Sequence, residues 1–408
     1  MGYVVFAVLL QKFNMVDEKK HSERLDKVFE RAHGGDKVRY RWWESLVSIS
    51  AILLAALTST ITLASPDPNA TIKLSVQKRV IDFRSKVSLG GISLAKIESP
   101  NGYHRDPVQL TTTPRIDACP ASGKQTIEVS SNQYVCFEPN RRLFDNPKLL
   151  GQIDPGIDAL FIQCTSIDDS DAGRADRALQ YVNLLKGLKE LYVDKSDTSD
   201  EAILAMPIIS SLHLFSAFFV PLNGSCLKRL SQQPNIRCLM LWDTKMDPAN
   251  YKYLPAFHNL LYLNLDEDWI QHQALSYVGK CTTLKELSLR WNRKIVDDDI
   301  ACLSSLKNLE SLDLRATKIT DKAIPLLRPM THLRELKLAE TVVTAEGIEA
   351  LRPLHLKWLT LPNHNYSAAQ RKKVEQISDV VVWVSYRAQS PDKETQKLFA
   401  PISKPSKL

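Results

Sequence analysis

Residues 309–327 read LESLDLRATKITDKAIPLL, and the rest of the fold can be worked out from this stretch. Leu309, Leu312 and Leu314 spell L-x-x-L-x-L. Thr317 follows at the ninth place, Ile319 two residues later, and Ile324 and Leu327 repeat at helical spacing. The hydrophobic period thus changes from two to about 3.6 within one short segment, as a strand followed by a turn and a helix requires.

The same template recurs on both sides. It is found at Ile157-Leu160-Ile162, Leu188-Leu191-Val193, Leu212-Phe215-Ala217, Ile236-Leu239-Leu241 and Leu260-Leu263-Leu265. It continues at Leu284-Leu287-Leu289, Leu309-Leu312-Leu314, Leu333-Leu336-Leu338 and Leu356-Leu359-Leu361. The steps are 31, 24, 24, 24, 24, 25, 24 and 23 residues, a register that chance does not hold. Positions 4 and 6 share one side of a short strand and form an inner core. Position 9 is Thr165, Ser196, Thr244, Asp268, Asn292, Thr317 or Thr341, short polar side chains suited to bond the turn backbone of their own or a neighbouring repeat. Thr320 and Thr344 stand where a helix N-cap belongs. One such unit cannot bury its own apolar face, so stacking is obligatory.

The stretch resembles the leucine-rich-repeat family, in its 24-residue bacterial form L-x-x-L-x-L-x-x-T-x-I-T-D-x-x-I-x-x-L. The resemblance covers roughly residues 155–385 and is strongest from 284 to 361. It departs from the pattern in the early repeats, where Val220 takes the polar ninth place and Phe218-Phe219 are unusually apolar. The resemblance implies an α/β leucine-rich-repeat solenoid, with parallel strands on the concave side and helices on the convex side. It also implies a role in protein recognition. Val380–Val384 is expected to be a terminal capping strand, with a basic, Pro-containing tail over residues 386–408.

Upstream, Ser45–Ala64 is twenty residues without a charge, long enough to cross a bilayer core of about 30 Å. Arg39, Arg41, Trp42 and Trp43 precede it and Ser65-Pro66-Asp67-Pro68 ends it. The segment is expected to be a retained transmembrane helix. A cleaved signal peptide and a buried core helix are the alternatives. Residues 1–44 hold nine Lys/Arg against seven Asp/Glu, which favours this end inside and the bulk of the chain extracytoplasmic (periplasmic in a bacterium). Lys73, Lys78, Arg79 and Arg84 follow closely and keep open a solenoid tethered on the cytosolic side. The apolar run Tyr3–Leu10 is too short to span, and Met15 is a candidate start.

Residues 66–150 read as a small β-rich region, with Thr126–Val129 and Tyr134–Phe137 forming a hairpin about Ser130–Gln133. Gly90-Gly91 reads as a turn or bulge. Of the seven cysteines, Cys119 and Cys136 are the candidate disulfide, in an oxidising compartment only.

Positions 3, 5 and 7 face outward on the concave sheet. In the early repeats they include Tyr192, Leu214, Phe218, Met240, Trp242 and Tyr262, the candidate binding patch. Inward rotation or cover by the β region are the alternatives. In the later repeats the outward positions hold charges. Asp266 faces Arg290 and Asp313 faces Lys337 on neighbouring strands, which reads as cross-strand ion pairing. Asp297-Asp298-Asp299 reads as a helix N-terminal cap rather than a cation site.

A net charge of +7 spread thinly over 408 residues does not point to a nucleic-acid partner. No metal spacing of His or Cys occurs, nor any GxSxG, Walker loop or GxGxxG. No enzymatic activity, cofactor or metal is therefore expected; a site in the β region is the minor alternative. Sequons at Asn69, Asn223 and Asn365 matter only in a eukaryotic secretory setting. The expected partners are a protein and, through one helix, a membrane.

Overall fold

The computed structural model describes residues 76–96, 116–131, 133–163, 173–362 and 366–384, all within one compact unit. The segment 45–64, its flanks, the tail 386–408, Cys164, Thr165 and the sequons at Asn69 and Asn365 lie outside the described residues. Among the described residues, no helix is long and apolar enough to cross a membrane.

The repeats build one continuous parallel sheet. Strands β6 (Ala159–Phe161), β7 (Glu190–Tyr192), β8 (Leu214–Ser216), β9 (Cys238–Met240) and β10 (Tyr262–Asn264) follow in chain order. They are continued by β11 (Glu286–Ser288), β12 (Ser311–Asp313), β13 (Glu335–Lys337), β14 (Trp358–Pro362) and β15 (Val380–Val384). A near-constant repeat length returns each strand to the same register, so Leu287, Leu312, Leu336 and Leu359 pair in line. These leucines, with Leu289, Leu314, Leu338 and Leu361 two residues on, are sealed from solvent and belong to the single core. Each such side chain contributes about 1.5–3 kcal/mol by burial. β15 extends the sheet beyond the last repeat, as the run of valines predicts.

The convex side is made of short helical turns. Residues Asp321–Leu327 are 3₁₀-helical and Ala345–Glu349 are α-helical. Ile300, Leu303 and Leu306 are buried where the helical spacing places them. The caps are those read from the sequence. The Thr320 side chain accepts from the Lys322 amide, and Thr344 accepts from Gly347. Asp299 caps its own short helix by accepting from the Val296 amide at 2.9 Å. Asp297 accepts from both the amide (2.6 Å) and the hydroxyl (2.7 Å) of Thr320 in the next repeat.

Strand and helix are joined by a turn that the sequence pattern does not announce. Position 8 adopts the left-handed conformation in seven successive repeats, at Lys195, Phe219, Asp243, Glu267, Trp291, Ala316 and Glu340. None of these is glycine, although the conformation costs an ordinary residue about 1–2 kcal/mol. The amide of each of the first six donates to the position-7 carbonyl of the following repeat, as Glu267 does to Arg290 at 2.9 Å. Position 9 then locks the turn from its side chain. The Thr317 and Thr341 hydroxyls donate to the carbonyls of Leu314 and Leu338, each at 2.7 Å. Asn292 reaches two repeats at once, donating to Leu265 and Leu289 and accepting from the Ile270 amide.

The N-terminal strands differ from the expected hairpin. Strands β1 (Val76–Asp82) and β4 (Lys124–Ser130) pair antiparallel as a separate two-stranded ribbon. Strands β2 (Gly90–Lys96), β3 (Ile116–Pro120) and β5 (Gln133–Pro139) join the large sheet in the order β3-β2-β5-β6. The chain changes sheets between β4 and β5 instead of turning back on itself. β5 makes the junction, antiparallel to β2 and parallel to β6. Cys119 pairs with Ile92 on one side of β2, and Cys136 with Ser93 on the other. Two strand spacings, about 10 Å, separate them, beyond the ~7 Å that a disulfide tolerates. Both are free thiols, which corrects the candidate disulfide. The glycine pair, read as a turn or bulge, lies in strand β2, and the register shift against β3 falls two residues later, between Ile92 and Ser93. Gly90 is required by close approach, since a Cβ there would stand 2.0 Å from the Glu138 carbonyl oxygen.

Candidate protein-binding face

Strand alternation puts the candidate patch on the concave side, as expected, but most of it is not exposed. Tyr192, Leu214 and Met240 have at most 1% of their surface accessible, Tyr262 5% and Trp242 8%; only Phe218 is half-buried. None has rotated inward, because none belongs to the core that holds their position-4 and position-6 neighbours. The expectation of an open aromatic surface is therefore corrected to a second, closed apolar layer. Close strand spacing allows large rings on adjacent rungs to stack. Phe161 and Tyr192 lie face to face, centroids 4.3 Å apart and planes within 3°. The Tyr192 hydroxyl donates to Glu190 at 2.8 Å, and burial first, then Glu190, pushes its pKa well above the usual tyrosine range.

Phe218 and Trp242 instead belong to an aromatic and cationic rim along the turns that follow the strands. Phe218 packs on Phe219 at 4.1 Å and on Trp242 at 4.3 Å. The Lys195 ammonium lies 5.4 Å from the centre of the Phe218 ring. The Arg290 guanidinium lies 5.0 Å from the Trp242 centroid and 4.7 Å from that of Trp291. Trp269 continues the rim with 58% of its surface exposed and Lys294 at 5.5 Å over its ring. The buried Trp242 Nε1–H has no hydrogen-bond partner among the described residues. Phe219 and Trp291 occupy position 8, and Trp269 position 10, all in left-handed backbone. Strand periodicity cannot find them, because the turn takes them out of the two-residue alternation. The available signal is the recurrence of aromatic residues directly after the strands.

Beyond the rim the concave side is a charged ladder. Asp266 accepts from the Ser288 hydroxyl (2.6 Å) and the Arg290 amide (2.8 Å), with the Arg290 guanidinium 3.4 Å away. Burial pushes its pKa up, and Arg290 opposes that. Asp313 is buried too, but Arg315 grips both its oxygens, and Lys337 and Arg290 add to the effect. These cations outweigh burial and bring Asp313 down to about 2. Lys337 forms its direct ion pair with Glu335, at 3.4 Å, and acts on Asp313 through the field. The Asp266–Arg290 pair forms across strands as the sequence suggested, whereas the expected Asp313–Lys337 pair is corrected to Asp313–Arg315 and Glu335–Lys337, each within one repeat.

One cluster resembles a nucleophilic triad and is not one. His272 Nδ1 lies 3.0 Å from Asp299, and the Cys302 sulfur 3.8 Å from the same nitrogen and 3.9 Å from Nε2. A working triad places acid and nucleophile on opposite nitrogens. Burial and Asp299 moreover raise the Cys302 pKa, which disfavours the thiolate. Among the described residues no group of His, Cys, Asp and Glu is placed to hold a metal ion.

A family model described as Leucine Rich repeat matches residues 280–304 and 330–351, the segments of the repeats begun by Leu284 and Leu333. No curated protein matches the chain. Among solved structures, an internalin from Listeria monocytogenes is 16% identical, with 59% of this chain and 78% of that one covered at a TM-score of 0.38. The Rad7 and Elc1 complex of yeast is 19% identical, with 61% and 76% covered at a TM-score of 0.39.

Proposed function

We infer that this leucine-rich-repeat protein is a recognition module that engages a protein partner through the rim running from Phe218 to Trp269. The carrying observation is Trp269, more than half exposed in strained left-handed backbone with Lys294 over its ring, on the same row of turns as the Phe219–Trp242 stack and the Arg290–Trp291 contact. Tryptophan and arginine are the side chains that most often dominate protein interfaces. A bulky residue held in a costly conformation at the surface is retained more readily when it has work to do there. The test is crosslinking of partners to the full-length chain, wild type against Trp269→Ala with Phe219→Ala. The double variant is expected to lose at least 2 kcal/mol of binding, about 30-fold. Equal capture by both proteins removes the rim from the account.

The module is read as membrane-anchored through residues 45–64, with the solenoid outside the cytoplasm; the uncharged run of twenty residues and its Trp-Trp flank support this. A specific observation favours the other orientation. All six described cysteines are free thiols, and Cys119 and Cys302 are half-exposed, which suits a reducing compartment. Protease accessibility in intact cells separates the two. Cleavage of the solenoid from outside places it beyond the membrane, and protection until lysis places it in the cytosol.

A further inference from the structure

The change of sheet between β4 and β5 opens a cleft of about 250 Å³ beside the first repeats. Arg79 of β1, Ser130 and Ser131 at the crossover, Gln133 of β5 and Lys189 ahead of β7 contribute to its walls. The two cations are positioned by one buried carboxylate. Arg79 Nη1 donates to Asp158 Oδ2, and the Lys189 ammonium lies 2.8 Å from Asp158 Oδ1. Asp158 is itself fixed by the Val135 amide (3.0 Å), and its carbonyl accepts from the Lys189 amide (2.9 Å). Arg79 is tied further by the Gly156 carbonyl, 2.9 Å from Nη1. The cations therefore belong to a built arrangement spanning three elements rather than to loose surface side chains.

One carboxylate cancels only one of the two charges, and no acidic residue lines the cleft. The donor supply is also unspent. Arg79 uses only Nη1, so Nε and Nη2 have no partner among the described residues. Lys189 spends one of three ammonium protons on Asp158, lies 4.8 Å over the Tyr134 ring and keeps 39% of its side chain exposed. Gln133 accepts the Ser130 amide through Oε1 at 2.9 Å, which leaves its amide N–H groups available. A guanidinium, an ammonium, a primary amide and two hydroxyls converge with a surplus positive charge. That set matches the acceptor oxygens of an oxyanion. The volume lies below the ~300–1,000 Å³ of ordinary small-molecule sites, which limits the occupant to a compact group.

We propose that the Arg79–Lys189 cleft binds a small oxyanion, a phosphate monoester or a carboxylate on a short carrier. The site lies apart from the aromatic rim and stands or falls independently of it. The test titrates the full-length chain with inorganic phosphate and, separately, with acetate, at constant ionic strength, followed by calorimetry. Saturable binding near 1 mM, about −4 kcal/mol, is expected for at least one of the two. Tighter binding of phosphate assigns the phosphate class and tighter binding of acetate the carboxylate class. Lys189→Met is expected to weaken the preferred anion at least tenfold. Gln133→Glu is expected to do the same, because it brings a negative charge into the cleft without disturbing the Asp158 pairs. It also keeps the acceptor for Ser130, so it remains informative if Lys189→Met misfolds. Absence of saturation with both anions at tenfold higher concentration overturns the proposal. So does anion binding that Gln133→Glu leaves unchanged.

Discussion

Asp268, at position 9 of its repeat, is the place where the turn chemistry produces a measurable pH dependence. It is buried, and its Oδ1 accepts from the Thr244 amide (2.7 Å), the Thr244 hydroxyl (2.9 Å) and the Lys245 amide (3.1 Å). Its Oδ2 faces only the Tyr251 hydroxyl, at 3.4 Å. Burial raises the pKa to about 7 from an ordinary 3.8, in spite of those donors. The fold thus favours the protonated acid. The resulting stability is complete below the unfolded value near 4 and is lost as pH rises through about 7, a total of about 4 kcal/mol. Between pH 5 and pH 9 the loss is about 3 kcal/mol. Asp268→Asn imitates the protonated acid, since its carbonyl keeps the three donors and its amide faces Tyr251. Thermal unfolding of both proteins at pH 5 and pH 9 measures the difference. The variant is expected to melt a few degrees above the wild type already at pH 5, where more than about 1 kcal/mol of the total is lost. Between pH 5 and pH 9 the gap is expected to widen by about 6–12 °C, taking 2–4 °C per kcal/mol. A melting difference that is the same at both pH values refutes a buried, neutral Asp268.

Two further predictions concern the ladder and the turn. Arg315→Met strands the buried Asp313 and is expected to cost about 3–5 kcal/mol at neutral pH. Because Asp313 is held at about 2, its contribution is present above pH 4 and lost as pH falls. Denaturant melts should therefore show the penalty shrinking between pH 4 and pH 2. Ala316, left-handed with φ of 55°, should gain up to about 1 kcal/mol as Gly and lose about 1–2 kcal/mol as Val. The reverse order in melting temperature would contradict the strained turn.

The sequence by itself determined the solenoid. Positions 4 and 6 are apolar in every repeat because a strand with one buried face permits little else, and a constant step forces parallel strands into register. The threonine caps, Asp299, position 9 and the Asp266–Arg290 pairing were legible for the same local reason, since each partner lies within one repeat or the next at a fixed offset. The proposed binding face was legible only in part. Of the six candidates only Phe218 is half-buried; Trp242 packs into the rim but is buried, and Tyr192, Leu214, Met240 and Tyr262 face the concave side but are shut off from solvent. Exposure depends on everything packed around a side chain, and strand alternation gives only the side it points to. The left-handed turns that carry Phe219, Trp269 and Trp291 onto the rim have no glycine to announce them. The sheet change at β4 and β5, which separates Cys119 from Cys136 and opens the Arg79–Lys189 cleft, follows from long-range pairing. β4 pairs with β1, about fifty residues earlier in the chain, and not with β5 beside it. Local patterning specifies strands, but which strand a strand pairs with is decided by how the whole chain buries its apolar surface.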